Sequence, residues 1–266
     1  MDDIQTDFNY PETESFQRIA ASWKSRGLPL TDWHIHLRGG MTAEKAALRQ
    51  ERSGINSAIL ENHGREWPLS DNAKLESFIE ESGRAKAAGH ALPVGIQAND
   101  RDWFKQISPA LRKRLDFVLA DTMIMDTNAE GKPQRLWLPD VAIEDPESWM
   151  GRYLAHNLAI LDEPVSILAN PTYLPPCIAA LYDQLWTDER MEKVIGKAVE
   201  KGIALEVQAE SLFPRARFLL MAKKMGALFS FGTNNFTAAP KDLTRWTEAI
   251  ELLDLQPADL WRSGGA

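Results

Sequence analysis

A short segment near the start of the chain places three side chains with metal-binding or acid–base chemistry at alternate positions. The segment reads TDWHIHLRGG over residues 31–40, and the three residues are Asp32, His34 and His36. Side chains two apart on a β-strand share one face, so a strand here would direct all three to the same side. Two imidazoles on one face can bind one divalent metal ion while a carboxylate orients one of the rings. We therefore expect His34 and His36 to be metal ligands and Asp32 to orient one of them.

The same histidines also have a structural interpretation, in which they hydrogen-bond within the core or at the end of a strand. A lone histidine would favour that interpretation, whereas the triplet favours a metal site. Two further histidines, His90 and His156, fall on helical segments and are predicted to be structural.

The composition limits the class of protein. A chain of 266 residues suits two small domains or one barrel-sized domain, and 44% hydrophobic with 26% charged residues is typical of globular proteins. A formal net charge of -8 disfavours nucleic-acid and anionic-membrane partners, so we expect a small-molecule substrate. Cys177 is the sole cysteine, and the start of the chain lacks an apolar leader. These features predict a cytoplasmic protein.

Seven short apolar runs alternate with amphipathic helical segments. The runs cover residues 30–37, 57–63, 93–99, 116–122, 165–170, 203–209 and 228–234. Alternating strands and helices form parallel βαβ units, and no glycine-rich phosphate fingerprint follows the first run, which disfavours a dinucleotide-binding open sheet. We predict an α/β fold, a distorted TIM-like (β/α)7 barrel in a single domain.

The barrel is predicted to span residues 26–254, preceded by an N-terminal arm over residues 1–25 and followed by a C-terminal tail over residues 255–266. A longer connection over residues 125–140 contains Gly131 and Pro133. It is predicted to form a hairpin or a lid over the site.

Each predicted strand ends in at least one polar side chain, and in barrels of this kind the chemistry lies at the carboxyl ends of the strands. The residues at these ends are Asp32, His34, His36, Glu61, Asn62, His63, Gln97, Asn99, Asp121, Asn170, Glu206, Gln208, Thr233, Asn234 and Asn235. Histidine and the acids can ligate a cation or move a proton, whereas the amides can hydrogen-bond a substrate.

At these residues the sequence resembles the polymerase and histidinol phosphatase (PHP) family of metallohydrolases. DWHIHL is similar to its DxHxH motif, GINSAILENHG is similar to its second motif, and FSFGTNNF stands where that family has Gly-Ser-Asp-Ala-His. The amides elsewhere are similar to those of uncharacterised PHP-like or amidohydrolase-like hydrolases. The resemblance implies a distorted seven-stranded β/α barrel and a divalent-metal centre.

Several positions depart from the PHP pattern. The family's third-strand glutamate falls near Gln97 or Asn99, and its fourth-strand histidine falls near Asp121 or Met123. The later positions hold Asn170 for a histidine and Asn234 and Phe236 for the closing aspartate and histidine. The resemblance therefore implies a depleted ligand set, with one or two zinc or manganese ions rather than three.

We predict a metal-dependent hydrolase that attacks an ester, phosphoester or amide bond of a small polar molecule with a metal-activated water. The predicted metal ligands are His34, His36 and Asp121; the catalytic candidates are His63, Asp121 and Glu206; the substrate-binding candidates are Arg38, Gln97, Asn99, Arg135, Asn170 and Asn234. Two alternatives remain open. One is a catalytically inactive barrel that binds a ligand, and the other is a metal-assisted lyase or isomerase on a sugar acid.

Overall fold

Seven parallel strands close into a barrel in the computed structural model of the chain, which describes residues 14–87, 92–127, 133–237 and 241–264. The strands are β1 (Thr31–His36), β2 (Asn56–His63), β3 (Val94–Ala98), β4 (Phe117–Asp121), β5 (Ile124–Thr127), β6 (Pro133–Arg135), β7 (Ile167–Ala169), β8 (Ala204–Gln208) and β9 (Phe229–Gly232). The barrel order is β1-β2-β3-β4-β7-β8-β9, and β5 and β6 form a separate antiparallel pair. The predicted single-domain α/β barrel is confirmed, and each of its strands lies at a predicted run.

Helices connect the strands and cover the outside of the barrel. Within the described residues they are α1 (Glu14–Ser25), α2 (Ala43–Ser53), α3 (Asn72–Ala87), α4 (Trp103–Gln106), α5 (Pro109–Arg112), α6 (Pro146–Ile160), α7 (Tyr182–Leu185), α8 (Asp188–Lys201), α9 (Ala216–Lys224) and α10 (Thr244–Leu252). Helix α8 shows why these segments are helical. The Thr187 side chain caps its first turn, Val194, Ile195 and Ala198 are buried, and Gly202 ends it at φ 66°.

The barrel interior is apolar in its lower half, toward the amino ends of the strands. Trp33, Leu60, Phe117 and Ile167, from four different strands, belong to one buried cluster there. A larger cluster fills the layer between the barrel and the helices. Because the lower half is filled by apolar side chains, the polar residues of the strands collect at their carboxyl ends, which we call the mouth of the barrel.

Strand β1 is irregular, and this changes which residues face the interior. Its pairing with β2 shifts register between Asp32 and Ile35. Trp33 packs against Phe117 of β4 at a ring-centroid distance of 5.3 Å, and His34, the next residue, also contacts side chains across the barrel. Two consecutive residues therefore face inward, as at a β-bulge, and the strict alternation expected from the sequence does not hold at Asp32.

The segments outside the barrel also pack on it. Trp23 of α1 lies 5.9 Å from Trp246 of α10, and Trp261 lies 4.7 Å from Trp33 at the amino end of the barrel. The β5–β6 pair agrees with the hairpin predicted for the long connection. His90 and Gly131 lie outside the described residues. Within the described ranges, no helix is both long enough and apolar enough to cross a membrane.

Candidate active site at the mouth of the barrel

The ring of His34 lies between a carboxylate and an amide at the mouth. Its Nδ1 is 2.5 Å from Glu206 Oε1, and its Nε2 is 2.8 Å from Gln97 Oε1. All three side chains are buried. Because both partners present oxygen acceptors, the geometry favours a proton on each ring nitrogen and hence the positively charged ring. Burial by itself lowers the pKa of His34, but the Glu206 carboxylate and the Gln97 hydrogen bond outweigh it, so that this pKa is raised.

The orientation of the Gln97 amide follows from its other contacts. Its Nε2 donates to Asn99 Oδ1 and to Asp121 Oδ2, each at 3.1 Å. Asn99 Nδ2 in turn donates to Asn62 Oδ1 at 3.0 Å. With the amide nitrogen directed at these acceptors, the Gln97 oxygen must face His34. The amides of Asn62, Asn99 and Gln97, at the ends of β2 and β3, therefore form a continuous hydrogen-bonded chain that ends on the His34 ring.

Asp121 and Asn170 close the network on the side of β4 and β7. Asp121 Oδ1 accepts from Asn170 Nδ2 at 3.1 Å and from the Met123 backbone N–H at 3.0 Å. Asn170 has φ 50°, a left-handed conformation that asparagine adopts more readily than most residues, and its backbone N–H donates to Glu206 Oε2 at 3.0 Å. Gln208 donates to Asn170 Oδ1 at 2.8 Å. Burial raises the pKa of Asp121.

Gly232 makes the contact between β1 and β8 possible. Strand β9 lies between them, and a Cβ at position 232 would overlap the Glu206 carboxylate and lie 2.6 Å from the Cβ of His34. Real side chains do not approach that closely. Glycine at this position is therefore required for Glu206 to reach His34 across the intervening strand.

His36 lies beside this network but does not join it. Its ring centroid is 5.1 Å from that of His34, and the Phe236 ring stacks on its other side at 4.6 Å. His36 Nδ1 makes a long contact of 3.5 Å with Glu61 Oε1, and Nε2 is buried without a hydrogen-bond partner. Burial lowers the pKa of His36 to about 4. The ring is therefore neutral near pH 7.

Glu61 is held by a backbone amide and by Arg38. Its Oε1 accepts from the Asn62 N–H at 2.6 Å, and its Oε2 accepts from Arg38 Nε at 3.1 Å. Burial by itself raises the pKa of Glu61, but His36 and Arg38 lower it to about 2. The Arg38 side chain is 30% exposed, and its Cζ lies 5.4 Å above the Phe236 ring. Arg38 is thus a cation at the edge of the mouth, next to the buried His36.

Asp32 does not orient a histidine ring as expected. Its Oδ1 accepts from the backbone N–H groups of His34 at 3.1 Å and Thr233 at 3.0 Å. Its Oδ2 accepts from the Thr233 hydroxyl at 2.7 Å and lies 3.0 Å from a guanidinium nitrogen of Arg49 on α2. Because of the irregularity in β1, Asp32 ties that strand to β9 and to a helix instead.

Three other predicted site residues lie apart from the His34 network. His63 is buried, and the charged group that acts on its pKa is Asp100 rather than Asp121. The Arg135 guanidinium lies 4.6 Å from the centre of the Trp67 ring. Asn234 has φ 46°, and its Oδ1 has no hydrogen-bond partner. Catalytic or substrate-binding roles for these residues stay predictions.

The arrangement does not fit the predicted metal centre. Among the described residues, no group of three or more His, Cys, Asp or Glu side chains is placed to hold a metal ion. Both nitrogens of His34 donate to oxygen acceptors, so neither presents a lone pair, and the oxygens of Asp121 accept from Gln97 and Asn170. Zinc favours imidazole, thiolate and carboxylate ligands, and the amides at the mouth are not among them. Manganese also accepts carbonyl oxygens, but the amide oxygens of Asn62, Asn99 and Asn170 already accept hydrogen bonds from neighbouring amides.

Comparison with known proteins identifies the fold. No family model matches the sequence, and no curated protein does. The structure is similar to the histidinol phosphate phosphatase of Lactococcus lactis, solved with zinc, L-histidinol and phosphate, at a TM-score of 0.61. The chain has a PHP-like barrel fold. The two sequences are 16% identical over 88% of this chain and 95% of the phosphatase, so the comparison confirms the fold alone.

An HpcH/HpaI aldolase of Desulfitobacterium hafniense is less similar to this chain than the phosphatase is. Its TM-score is 0.35 at 14% identity, over 89% of this chain and 97% of the aldolase.

Three residues at the mouth have roles that the sequence pattern does not predict. Glu61 is a polar strand end, but the pattern does not show its contacts with His36 and Arg38. Phe236 departs from the PHP pattern, and its ring covers His36. Gly232 carries no chemistry of its own, but its place at the end of β9 is a signal, because a glycine at a strand end often marks a close approach.

Proposed function

We propose that this protein is a hydrolase of small anionic esters, with His36 as the proton-transferring residue at the mouth and no step assigned to a metal ion. The observation that carries the proposal is the state of His36. It is fully buried and its Nε2 has no hydrogen-bond partner, while neighbouring His34 is bonded at both ring nitrogens. A buried polar group without a partner costs about 1–3 kcal/mol, which a bound substrate or water would recover.

The neighbours of His36 suit proton transfer. Glu61 Oε1 is nearest to Nδ1, which favours the tautomer with the proton on that nitrogen and the lone pair on Nε2. In the proposed reaction, Nε2 takes a proton from water as the water oxygen bonds to the ester centre. The bond to the leaving oxygen breaks, and the same proton passes to that oxygen. Phe236 stacks on His36, so the substrate must displace its ring.

Arg38 supports an anionic substrate. It is partly exposed, lies beside His36 and contacts both Glu61 and the Phe236 ring. A guanidinium can bind a carboxylate or a phosphate through two parallel hydrogen bonds. The phosphatase of similar fold was solved with L-histidinol and phosphate, which supports a small anionic ester as the substrate class. In the proposed function, the barrel over residues 26–254 is the catalytic domain, and the protein acts in the cytoplasm.

The test is an assay of the purified protein, with a chelator present, against p-nitrophenyl phosphate, bis-p-nitrophenyl phosphate and p-nitrophenyl acetate. We expect turnover of at least one of the two phosphate esters, above that of the neutral acetate, and a loss of about 10²-fold or more in His36→Gln, the usual contribution of a general base. His156→Gln is the matched control, because His156 lies on α6, outside the network at the mouth. Equal activity of folded His36→Gln and the parent would refute the role of His36.

A ligand-binding barrel without catalysis is the second candidate. The observation that favours it is that the polar groups at the mouth are already hydrogen-bonded: His34 to Glu206 and Gln97, and Asp121 to Gln97 and Asn170. Absence of turnover on every ester, combined with saturable binding of the same esters, would select this candidate. A metal-assisted lyase or isomerase needs a bound ion, and the ligand set at the mouth does not fit one.

A further inference from the structure

A second polar cavity lies beside the mouth, at the loops that follow β2 and β3, the β5–β6 hairpin and α6. Its volume is about 380 Å³, within the range of small-molecule sites. The lining residues that matter here are Arg65, Asn99, Arg101, Ile124, Met125 and His156. Of these, Asn99 alone belongs to the network at the mouth, so the cavity adjoins the candidate active site without coinciding with it.

Arg101 presents a buried donor that has no acceptor. Its two terminal nitrogens make long contacts, each 3.4 Å, with Glu163 Oε2 and the Ala98 carbonyl oxygen. Its Nε is buried and has no hydrogen-bond partner. A ligand oxygen in the cavity would satisfy this N–H, and a negatively charged oxygen would do so most strongly.

His156 presents a buried acceptor that has no donor. Its Nε2 is buried without a hydrogen-bond partner. The ring also hydrogen-bonds the Thr122 backbone, and this bond by itself raises the pKa of His156. The ring must therefore donate to that backbone carbonyl, which leaves the lone pair on Nε2. Burial and the charge of Arg101 lower the pKa of His156 to about 3, so the ring is neutral near pH 7. Nε2 therefore needs a ligand group that donates, such as a hydroxyl.

The charges and the apolar wall limit the ligand further. Arg65 and Arg101 line the cavity together with one acid, Asp100, which lies 3.2 Å from Arg65 Nε. Arg101 lies 3.4 Å from Glu163, so each cation has an acidic neighbour, and a ligand carboxylate would meet the unpartnered Nε of Arg101. Ile124 and Met125 are buried and provide a small apolar surface for the carbon skeleton.

We propose that this cavity binds a small hydroxycarboxylate, with the carboxylate on Arg101 and a hydroxyl donating to His156 Nε2. Asn99 lines the cavity and hydrogen-bonds both Asn62 and Gln97, so an occupant lies next to the chain of amides that reaches His34. The proposal does not rest on hydrolysis, because it needs only the groups that line the cavity.

Calorimetric titration of the full chain with glycerate tests the proposal. Glycerol, which lacks the carboxylate, propionate, which lacks the hydroxyls, and inorganic phosphate are the comparison ligands. We expect glycerate to bind saturably at millimolar concentration or below, and at least tenfold more tightly than any of the three. No heat at millimolar glycerate, or phosphate binding as tightly as glycerate, would overturn the proposal.

Variants locate the binding. Arg101→Gln should weaken glycerate binding at least tenfold, whereas the matched control Arg114→Gln, an exposed arginine paired with Glu76, should leave it unchanged. His156→Phe should abolish the preference for glycerate over propionate, and this arm decides the question if Arg101→Gln does not fold. His36→Gln should bind as the parent does, which separates this site from the proposed hydrolase. Equal affinity of the parent, Arg101→Gln and His156→Phe would place the ligand elsewhere.

Discussion

His34 and Glu206 hydrogen-bond across a strand that separates them in the barrel. His34 is on β1, Glu206 is on β8, and the distance from Nδ1 to Oε1 is 2.5 Å. The intervening strand contributes Gly232 at the point of contact. The His34–Glu206 pair at the mouth therefore depends on the absence of a side chain at position 232.

Replacing Gly232 with alanine should destabilise the protein, because the new Cβ would overlap the Glu206 carboxylate and crowd His34. Overpacking of this kind costs about 1–3 kcal/mol of unfolding free energy, measurable by urea denaturation. Gly151→Ala is the matched control, because Gly151 lies in α6 with nothing within 4 Å of the added Cβ. It should be neutral or stabilising by about 0.5–1 kcal/mol. Equal effects of the two substitutions would contradict the packing argument.

Glu206→Gln should be strongly destabilising, because it leaves the cationic ring of His34 buried without its carboxylate partner. Breaking one half of a buried ion pair typically costs about 3–5 kcal/mol of unfolding free energy. Glu189→Gln, at an exposed residue paired with Lys193, should leave stability nearly unchanged, because solvent screens such a pair. In a double-mutant cycle, His34→Gln with Glu206→Gln should cost less than the sum of the two single variants. Additive costs would argue against a direct pair.

Metal removal should leave the folded protein unchanged, because both nitrogens of His34 donate to oxygens and the described residues present no cluster of ligands. We expect protein purified without chelators to contain far less than one zinc or manganese ion per chain by elemental analysis. Its Tm should not respond to either ion or to a chelator. A stoichiometric ion together with a higher Tm would restore the predicted metal centre.

Acid should weaken the fold in part through His156. Burial and Arg101 lower its pKa from an ordinary 6.5 to about 3, so between these values the unfolded chain binds a proton that the folded protein excludes. Stability from this group is therefore full above pH 6.5 and is lost as pH falls toward 3. His156→Gln should lose less unfolding free energy than the parent on going from neutral to mildly acidic pH. An identical acid slope in both proteins would contradict this assignment.

The sequence by itself determined the barrel and the end of it that holds the polar groups. The alternation of apolar runs with helices is a local property, and parallel βαβ units place all strand ends on one side, so Gln97, Asp121, Asn170 and Glu206 could be expected to meet. These four side chains do join one hydrogen-bonded network.

Only the tertiary structure decided how those groups pair. Periodicity assigns a face to each residue but does not show an irregularity such as that of β1, which directs Asp32 to Arg49 and leaves two consecutive residues facing inward. It also does not reveal which acceptor each ring nitrogen meets, and that choice decides whether His34 carries a proton or a lone pair. Hydrogen-bond partners are set by distances between strands far apart in the chain, whereas the pattern in a sequence records only neighbours along it.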